Sequence, residues 1–296
     1  MEYDYSIVGG GPAGTVTAYC LQKRGVKCAI LEKREQIDEK ICGGLLTWSG
    51  IKILKEIGLD VTEFNPNDVA KIKQYKYVFD KYTRTYRYHN EEYGIGIRRE
   101  IFDKWLMDKA VTEGADVFYG IKFSNVAYQN NMFKVGDILA QKLIIATGAM
   151  GFVPLVMRGE IKHQTFGLSM QIRGRTLLDE ETAYFFFIGE NKLDYFWIIP
   201  NGNGVWNIGI WFHKMSKNVV IQFGNYNDYF MDKYFTDISI VRKLKGAYCG
   251  NVNFSTQLSQ DVYGVGDFTG TNNRKTGEGL RYAIESAVHV VRSLNL

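Results

Sequence analysis

The stretch Tyr5-Ser6-Ile7-Val8-Gly9-Gly10-Gly11-Pro12-Ala13-Gly14 opens the chain and decides its fold. Its first four residues predict a short apolar strand, and the glycines that follow have the spacing Gly-x-Gly-x-x-Gly. In a strand–turn–helix unit, Gly9 makes the tight turn, Gly11 lets a pyrophosphate approach the backbone, and Gly14 lets the helix pack closely on the sheet. The pyrophosphate of a dinucleotide then lies at the positive end of the helix, where free N–H groups point at it.

The residues that follow complete a βαβ unit. Residues 15–24 suit a helix that ends at Gly25, and a second apolar run, Val26-Lys27-Cys28-Ala29-Ile30-Leu31, leads to Glu32. An acidic residue about 20 positions after the glycines is expected to bind a ribose hydroxyl. The sequence therefore predicts dinucleotide binding. The charge of Glu32 argues against a 2′-phosphorylated dinucleotide at this site, because two anions would face each other.

Composition and charge are those of a globular enzyme. The chain has 296 residues, of which 46% are hydrophobic and 23% charged, and this length allows one large domain or two closely joined ones. The net charge of +4 is mild and the basic residues are scattered, so we expect no nucleic-acid partner. No apolar run approaches the ~20 residues of a membrane-spanning helix, and no signal-peptide pattern is present, so we expect a cytoplasmic protein.

The cysteines and histidines provide little from which to build a metal site. Cys20, Cys28, Cys42 and Cys249 are widely spaced and include no Cys-x-x-Cys pair, and the chain has four scattered histidines. Structural zinc sites use closely spaced pairs of such ligands. We therefore expect no metal.

A second glycine-rich turn lies near the C-terminus. Val262-Tyr-Gly-Val-Gly266-Asp267 predicts a strand that ends in Gly-Asp, and an amphipathic helix follows from Arg281 to about Leu294. An acid at a strand end can accept hydrogen bonds from a polyol, and a helix start offers N–H groups to an anionic ring edge. Together these features suit the ribityl chain and the N1/O2 side of a flavin, whose reduced form a helix start would stabilise. The sequence therefore predicts FAD as the cofactor.

Hydrophobic spacing indicates the elements between the two turns. The predicted elements are a helix at 45–58, half-buried strands at 69–79 and 84–89, a helix at 100–113, short strands around 116–135, a buried strand at 142–146, and a strand-rich aromatic section at 184–235.

Four blocks of sequence, taken as a set, are specific enough to indicate a protein family. They are Gly9–Gly14 with Glu32-Lys33-Arg34; Lys40-Ile-Cys42-Gly43-Gly44; Arg99-Glu-Ile-Phe102-Asp103; and Gly266-Asp267 through Thr276-Gly277-Glu278-Gly279. Together they resemble the geranylgeranyl reductase family, within the broader aromatic-hydroxylase-like FAD enzymes, over nearly the whole chain. A fifth block, Tyr195-Phe-Trp197-Ile-Ile-Pro200, resembles the family's Tyr-x-Trp-x-Phe-Pro, with Ile199 replacing Phe.

The resemblance implies an α/β fold, with a Rossmann-like FAD-binding domain of the glutathione-reductase and hydroxylase type and an inserted antiparallel β-sheet substrate domain. The predicted FAD-binding domain is discontinuous and comprises 1–64, 96–152 and 244–296, while the substrate domain comprises 65–95 and 153–243. The predicted FAD contacts are Gly9, Gly11, Ala13, Gly14, Glu32, Lys33, Gly44, Arg99, Val126 (through its backbone, to the adenine), Gly266, Asp267, Gly277, Gly279 and Leu280.

The activity that the resemblance implies is reduction of a C=C bond. Reduced FAD would deliver a hydride to one carbon, and a proton would reach the other carbon. The substrate is expected to be apolar or aromatic in part, and isoprenoid-like. Electrons would come from a ferredoxin or from NAD(P)H. The sequence leaves the oligomeric state and any peripheral membrane contact open.

Cys42, Tyr195 and Trp197 are the predicted catalytic residues. The resemblance places Cys42 beside the flavin ring, and Lys40 nearby favours its thiolate. Its thiol would donate a proton or regulate the redox state; alternatively, a small side chain simply permits close approach to the flavin. Tyr195 and Trp197 alternate along a predicted strand and so share one face. The match to the family block suggests that this face borders the substrate pocket.

Three departures from the family pattern bear on function. The usual proline of the Gly-Asp block is replaced in Asn272-Asn273-Arg274, so the loop beneath the flavin is expected to differ in shape. Residues 146–149 read Ala-Thr-Gly-Ala and lack the acid of the hydroxylases' Asp-Gly motif, which weakens a monooxygenase assignment. Many family members continue beyond the last helix, whereas this sequence stops at Leu296; we expect a smaller or more open pocket, or one closed by a second subunit.

Two other classes of protein remain open. The first is an oxygen-using flavin monooxygenase or halogenase, because halogenases carry Trp-x-Trp-x-Ile-Pro, to which the Tyr195–Pro200 block is nearly as close. The second is a non-catalytic FAD-binding redox or assembly protein.

Overall fold

The strand–turn–helix at the N-terminus forms as its sequence predicts. In the computed structural model, β1 (Glu2–Val8) runs through Gly9–Gly11 into α1 (Pro12–Gln22), and β2 (Cys28–Leu31) follows. The structure describes residues 1–38, 40–122, 126–149, 163–189, 193–214, 218–251, 256–273, 276–294 and 296. Arg274, in the departure noted at the second glycine-rich turn, lies outside the described residues.

The other helices and strands follow in chain order. They are β3 (Leu45–Leu46), α2 (Trp48–Glu56), β4 (Val69–Ile72), β5 (Gln74–Val78), β6 (Thr83–Arg87), β7 (Gly94–Ile97), α3 (Arg99–Thr112), β8 (Asp116–Phe118), β9 (Ala127–Gln129), β10 (Met132–Val135), β11 (Ile138–Ile145), β12 (His163–Thr176), β13 (Thr182–Ile188), β14 (Asp194–Pro200), β15 (Trp206–Phe212), α4 (Val219–Tyr234), β16 (Phe235–Asn251), β17 (Gln257–Ser259), β18 (Val262–Gly264) and α5 (Leu280–Ser293).

Contacts divide the chain into two compact units. The first comprises 1–38, 102–163 and 249–296, and the second comprises 39–101 and 164–248. Residues 39–64, 96–101 and 244–248, which the sequence analysis assigns to the predicted FAD-binding domain, fall in the second unit. The part that these residues play in flavin binding stays a prediction.

The first unit is built on a sheet in the order β17-β18-β11-β1-β2-β8. β1 pairs in parallel with β2 and β11, and the parallel pairing extends to β8 and β18. The apolar runs of β1, β2 and β11 are almost completely buried, as strands covered on both faces are. Helix α1 packs against α5, so the first and last helices of the chain lie together.

The second unit contains a larger, mostly antiparallel sheet in the order β16-β12-β15-β14-β13-β5-β6, in which β5 and β13 pair in parallel. One face of this sheet packs against α4 to form an apolar core that includes Phe196, Ile208 and Phe230. A small sheet, β3-β7-β4, belongs to the same unit. These observations confirm the predicted fold class of a Rossmann-like α/β unit combined with an antiparallel β-sheet.

Two predicted elements are corrected. The helix expected at 45–58 starts at Trp48, because Leu45 and Leu46 pair with β7 as a short strand. The aromatic section is not made of strands throughout, since residues 219–234 form α4. Its buried residues Val219, Phe223 and Phe230 follow helical spacing, which the high aromatic content obscured. No helix among the described residues has both the length and the apolar character needed to cross a bilayer.

The glycines of the first turn differ in what surrounds them. A Cβ on Gly14 would overlap the carbonyl oxygen of Gly9. A Cβ on Gly11 would meet no heavy atom within 4 Å. Gly14 therefore lets α1 lie directly against the end of β1, whereas Gly11 has open space beside it at the start of the helix.

We expect Gly14→Ala to lower the free energy of unfolding by about 3 kcal/mol or more, because the overlap can be relieved only by moving α1 away from β1. Gly11→Ala is the matched control and should cost about 1 kcal/mol or less, the usual price of replacing an N-cap glycine. Urea denaturation of both variants measures the difference. Equal stability of the two variants would contradict this account of the turn.

Candidate functional site

The start of α1 offers unpaired N–H groups. Its N-cap is Gly11, no side chain caps the helix, and the first turn contains no acidic residue. The N–H groups of Ala13 and Gly14 have no acceptor within the helix, because the first turn of any α-helix lacks one. Such a helix start, combined with the open space at Gly11, suits a pyrophosphate.

Glu32 follows the second strand and is bound to the first glycine-rich turn. Its carboxylate is 3% exposed and accepts a hydrogen bond from Gly10 N at 2.7 Å. Arg34 donates to the same carboxylate through its backbone N (3.0 Å), Nε (2.9 Å) and Nη2 (3.1 Å). These bonds use all four acceptor positions of a carboxylate. A ribose hydroxyl can therefore bind Glu32 only if Arg34 gives up one of its bonds.

The electrostatics of Glu32 follow from the same contacts. Burial alone would raise the pKa of its carboxyl group, but the hydrogen bonds and charge of Arg34 and the N–H of Gly10 outweigh burial, so the pKa lies below its ordinary value. Glu32 is therefore ionised at neutral pH, and its negative charge supports the sequence-based exclusion of a 2′-phosphate at this position.

The second glycine-rich turn lies against the first. A Cβ on Gly266 would come within 2.8 Å of the Cβ of Ala13, so the turn after β18 contacts the start of α1 directly. Asp267 follows in a short 3₁₀ helix (Gly266–Thr269). Gly279 is the N-cap of α5, which has no side-chain cap, and a Cβ there would lie 3.5 Å from Asp267 Oδ1.

Three buried oxygens at this turn have no hydrogen-bond partner among the described residues. They are Asp267 Oδ1, Thr271 Oγ1 and Asn272 Oδ1. A buried acceptor without a donor costs about 1–3 kcal/mol, so these three oxygens fit a ligand that carries donors. The hydroxyls of a ribityl chain are such donors. The two turns therefore fit FAD. The contacts of Glu32 and α1 with the adenosine and pyrophosphate, and those of Asp267 and Gly279 with the ribityl and flavin end, stay predictions.

In the second unit, the segment Cys42-Gly43-Gly44 is fixed through three successive carbonyl groups. Cys42 O accepts from Asn207 Nδ2 at 2.8 Å, Gly43 O accepts from Asn201 Nδ2 at 3.2 Å, and Gly44 O accepts from Ile97 N at 2.8 Å. Gly44 has φ +69°, and a Cβ there would overlap the carbonyl oxygen of Ile97. All three carbonyl groups of this irregular segment are therefore bound.

Asn207 connects that segment to Trp197. Its Oδ1 accepts a hydrogen bond from Trp197 Nε1 at 2.8 Å, while its Nδ2 donates to Cys42 O, and Asn207 is 1% exposed. A Cβ on Gly209, the cross-strand partner of Trp197, would overlap the indole ring. Trp197 thus lies over Gly209, with its N–H directed to the amide that also holds Cys42.

The structure places Tyr195 and Trp197 on one face of β14, as the sequence predicts, and their rings are 6.2 Å apart. Their neighbours Phe196 and Ile198 lie in the apolar core against α4, so Tyr195 and Trp197 belong to the opposite face. Cys42 is partly buried, and its Sγ accepts a weak hydrogen bond from Gly44 N at 3.4 Å. The structure therefore brings the three predicted catalytic residues together within the second unit.

The structure gives the positions of the remaining predicted cofactor residues. Arg99 begins α3 and is buried. Val126 packs on the core of the first unit, Lys33 is exposed, and Gly277 has φ +68°. Leu280 is buried as the first residue of α5. Their contacts with FAD stay predictions.

Comparison with known proteins agrees with an FAD-binding site. Residues 2–134 match the family described as an FAD binding domain. The chain is similar to an uncharacterized protein of Methanosarcina barkeri, at 27% identity over 96% of this chain and 72% of the relative. It is similar to digeranylgeranylglycerophospholipid reductase 1 of Methanococcoides burtonii at 24% identity, over 97% of this chain and 73% of the relative. The chain is an FAD-dependent oxidoreductase related to the geranylgeranyl reductases.

Solved structures share the fold of this oxidoreductase. A geranylgeranyl bacteriochlorophyll reductase-like protein from Thermoplasma acidophilum superimposes with a TM-score of 0.81 at 22% identity, over 98% of this chain and 77% of the other. A mutant of halogenase PltM in complex with FAD has a TM-score of 0.77 at 15% identity, over 98% of this chain and 68% of the other. At these identities the likeness shows the fold, which serves both reductases and halogenases.

Sequence reasoning missed several residues of this oxidoreductase site. Asn201 and Asn207 are both buried and bind backbone carbonyls far away in the sequence, and no local pattern marks them. Gly209 lies in a strand, where an isolated glycine is a recognised sign of close approach. That signal was present and would have pointed to the ring of Trp197.

We expect the Glu32 carboxylate to stabilise the protein in a pH-dependent way. Because the folded-state pKa is lowered, the stabilisation is fully present above the unfolded value of about 4.5 and is lost as the pH falls through the folded value. Glu32→Gln should therefore be less stable than the wild type at neutral pH by about 1–3 kcal/mol, with the difference shrinking below pH ~4.5. Urea denaturation across this range measures it. Glu35→Gln, at an exposed carboxylate, controls for the loss of one charge; a difference independent of pH would contradict the prediction.

We expect Asn207→Leu to lower the free energy of unfolding by about 2–3 kcal/mol, because Trp197 Nε1 and Cys42 O both lose their partner and the indole N–H is buried. Asn225→Leu, on the exposed side of α4, is the matched control and should change stability by about 0.5 kcal/mol or less. Chemical denaturation followed by tryptophan fluorescence provides the measurement. If the two variants were equally stable, Asn207 would not hold the segment.

Proposed function

We propose that this protein reduces C=C bonds of an apolar, isoprenoid-like or aromatic substrate with hydride from reduced FAD. The observation that carries the proposal is the fixed segment Cys42-Gly43-Gly44, held by Asn207 on the aromatic face that carries Trp197. The relative in Methanococcoides burtonii is named for reduction of a digeranylgeranyl glycerophospholipid, which agrees with an apolar substrate.

Bound FAD supplies two electrons as a hydride from N5 of its reduced form. Cys42 would supply the proton that the second carbon of the double bond needs. Its S–H bond breaks, a C–H bond forms, and the thiolate recovers a proton from solvent, so the double bond gains one hydride and one proton in total. The partly buried position of Cys42 suits this role, because the thiol can touch a substrate and still be reprotonated.

The surrounding residues would orient the reaction. A proton donor is effective only when its distance to the acceptor atom is fixed, and the three bound carbonyls of residues 42–44 provide a rigid support for the thiol. Tyr195 and Trp197 lie buried beside this segment, and their rings would exclude water from the thiol and favour an apolar chain over a polar one.

An oxygen-using enzyme is the second candidate. Ile199 occupies the position at which the family block has Phe, and its Cδ1 lies 3.0 Å from the position of a Cβ on Gly43. The residue that matches the halogenase block therefore contacts the segment that matches the reductases. A monooxygenase or halogenase requires molecular oxygen, whereas the proposed reduction does not.

We expect the FAD-loaded protein, photoreduced under anaerobic conditions, to convert geranylgeraniol or a lipid extract to products two hydrogens heavier, as detected by mass spectrometry. Ferredoxin and NAD(P)H replace photoreduction in parallel reactions to identify the electron donor. Products that carry oxygen or halogen, or turnover that depends on added oxygen, would assign the protein to the second candidate.

In the same assay, we expect Cys42→Ala to lower kcat by about 10²-fold or more, the usual contribution of a positioned acid. Cys20→Ala, which changes another partly buried cysteine, is the matched control and should keep wild-type turnover. Full turnover by Cys42→Ala would remove the proposed proton donor and leave Cys42 a role in spacing alone.

A further inference from the structure

The large sheet of the second unit carries aromatic rings on both faces. One face forms the core against α4, which includes Tyr184, Phe186 and Phe196. The residues that alternate with them, Phe185, Phe187 and others, lie on the opposite face, where Trp197 and Cys42 are found. Trp197 and Tyr195 are buried, whereas Phe187 and Phe79 are only partly buried and Tyr82 is exposed, so the outer rings of this face can contact a ligand.

Rings on this second face form a continuous series, here called the aromatic belt. It consists of Trp197, Tyr195, Phe187, Phe79 and Tyr82. Successive ring centroids are 6.2, 5.7, 4.5 and 4.7 Å apart. The belt crosses from β14 through β13 to the β5–β6 hairpin, three inter-strand spacings or about 14 Å. It is therefore long enough to contact an extended chain rather than a single ring.

Exposure increases steadily along the aromatic belt. Trp197 and Tyr195 are each 6% exposed, Phe187 and Phe79 are partly buried, and Tyr82 is 48% exposed. An apolar ligand that reaches Trp197 from solvent would meet these rings one after another, and each ring would remove part of it from water.

The exposed end of the aromatic belt is basic. Arg84 lies on the same face as Tyr82, with its guanidinium 5.4 Å from the Tyr82 ring, and Lys81 occupies the hairpin turn. Neither side chain has an ion-pair partner among the described residues, although Asp80 in the same turn reduces the net charge. A guanidinium that stands over an aromatic ring is well placed to bind a phosphate.

We propose that the aromatic belt binds the apolar chain of an elongated substrate, and that Arg84, assisted by Lys81, binds an anionic group at the outer end of that chain. The inference rests on the proposed function, because it places a double bond near Trp197 and Cys42. It adds the orientation of the substrate: the chain enters from the β5–β6 hairpin, and its phosphate stays outside.

Binding to the FAD-loaded protein tests the proposal without requiring turnover. The probes are geranylgeranyl monophosphate and geranylgeraniol, titrated by calorimetry at low and high salt. Arg84→Gln is compared with Arg87→Gln, which changes an equally exposed arginine on the opposite face of β6. Tyr82→Ser is compared with Tyr229→Ser, which changes an exposed tyrosine on α4. All four side chains are exposed, so the variants should fold.

We expect Arg84→Gln to weaken binding of the phosphate about fivefold at low salt, less at high salt, and to leave the alcohol unaffected. Tyr82→Ser should weaken both ligands about threefold to tenfold. Arg87→Gln and Tyr229→Ser should change neither ligand more than about twofold. Equal effects within either pair of variants, or failure of the wild type to bind both probes, would overturn the proposal.

The proposed function and this inference can fail separately. If the phosphate binds with the expected dependence on Arg84 but no reduced product forms, the inference stands and the reductase activity is wrong. If reduction occurs and Arg84→Gln binds the phosphate as well as the wild type does, the orientation is wrong and the activity stands.

Discussion

The close approach of three backbone segments in the first unit is the constraint on which the flavin site depends. The end of β1 meets the start of α1 where Gly14 faces Gly9, and the start of α1 meets the turn after β18 where Ala13 faces Gly266. A side chain at Gly14 or Gly266 would push these segments apart. Their approach brings the start of α1, with its unpaired N–H groups, against Gly266, the residue that precedes Asp267. Cofactor binding thus depends on packing. The glycines that let the helices pack closely on the sheet also leave N–H donors of α1 and oxygen acceptors at the second turn without protein partners among the described residues.

In the second unit, buried hydrogen bonds and a glycine fix an irregular backbone segment. A strand fixes its backbone through a regular ladder, but Cys42 and Gly43 lie before the pairing that Gly44 O makes with Ile97 N and still need a fixed position. Two buried amides, Asn201 and Asn207, take the place of the missing strand partners. Gly209 leaves room above the sheet for the indole that completes the Asn207 bonds. Buried amides that serve several partners are costly when any one is lost, so such a network specifies one arrangement of the segment.

The sequence predicted those parts of the fold that depend on local patterns. The glycine spacing of the first turn, the apolar strands around it and the ends of α1, α3 and α5 all follow from residues close together in the chain. The helix α4 was missed because aromatic residues such as Phe223 and Phe230 suit strands as well as helices, and the packing partner that decides between them lies elsewhere. The hydrogen bonds from Arg34 to Glu32 and the contacts of Asn207 depend on the three-dimensional geometry, and no spacing of residues along the sequence predicts them.

A chemical role and a spacing role for Cys42 make different demands on the surroundings of its sulfur. If the segment needed only a small side chain for close approach, its backbone could be fixed by any residue there, and the sulfur would have no special environment. The sulfur instead accepts a hydrogen bond from Gly44 N, and this bond occupies a lone pair and not the S–H proton. The main chain of Cys42 is bound to Asn207, so the proton of the thiol is the group that this segment leaves uncommitted. The proposed addition of hydrogen across a double bond would use this proton, carried on a fixed backbone beside an apolar aromatic face.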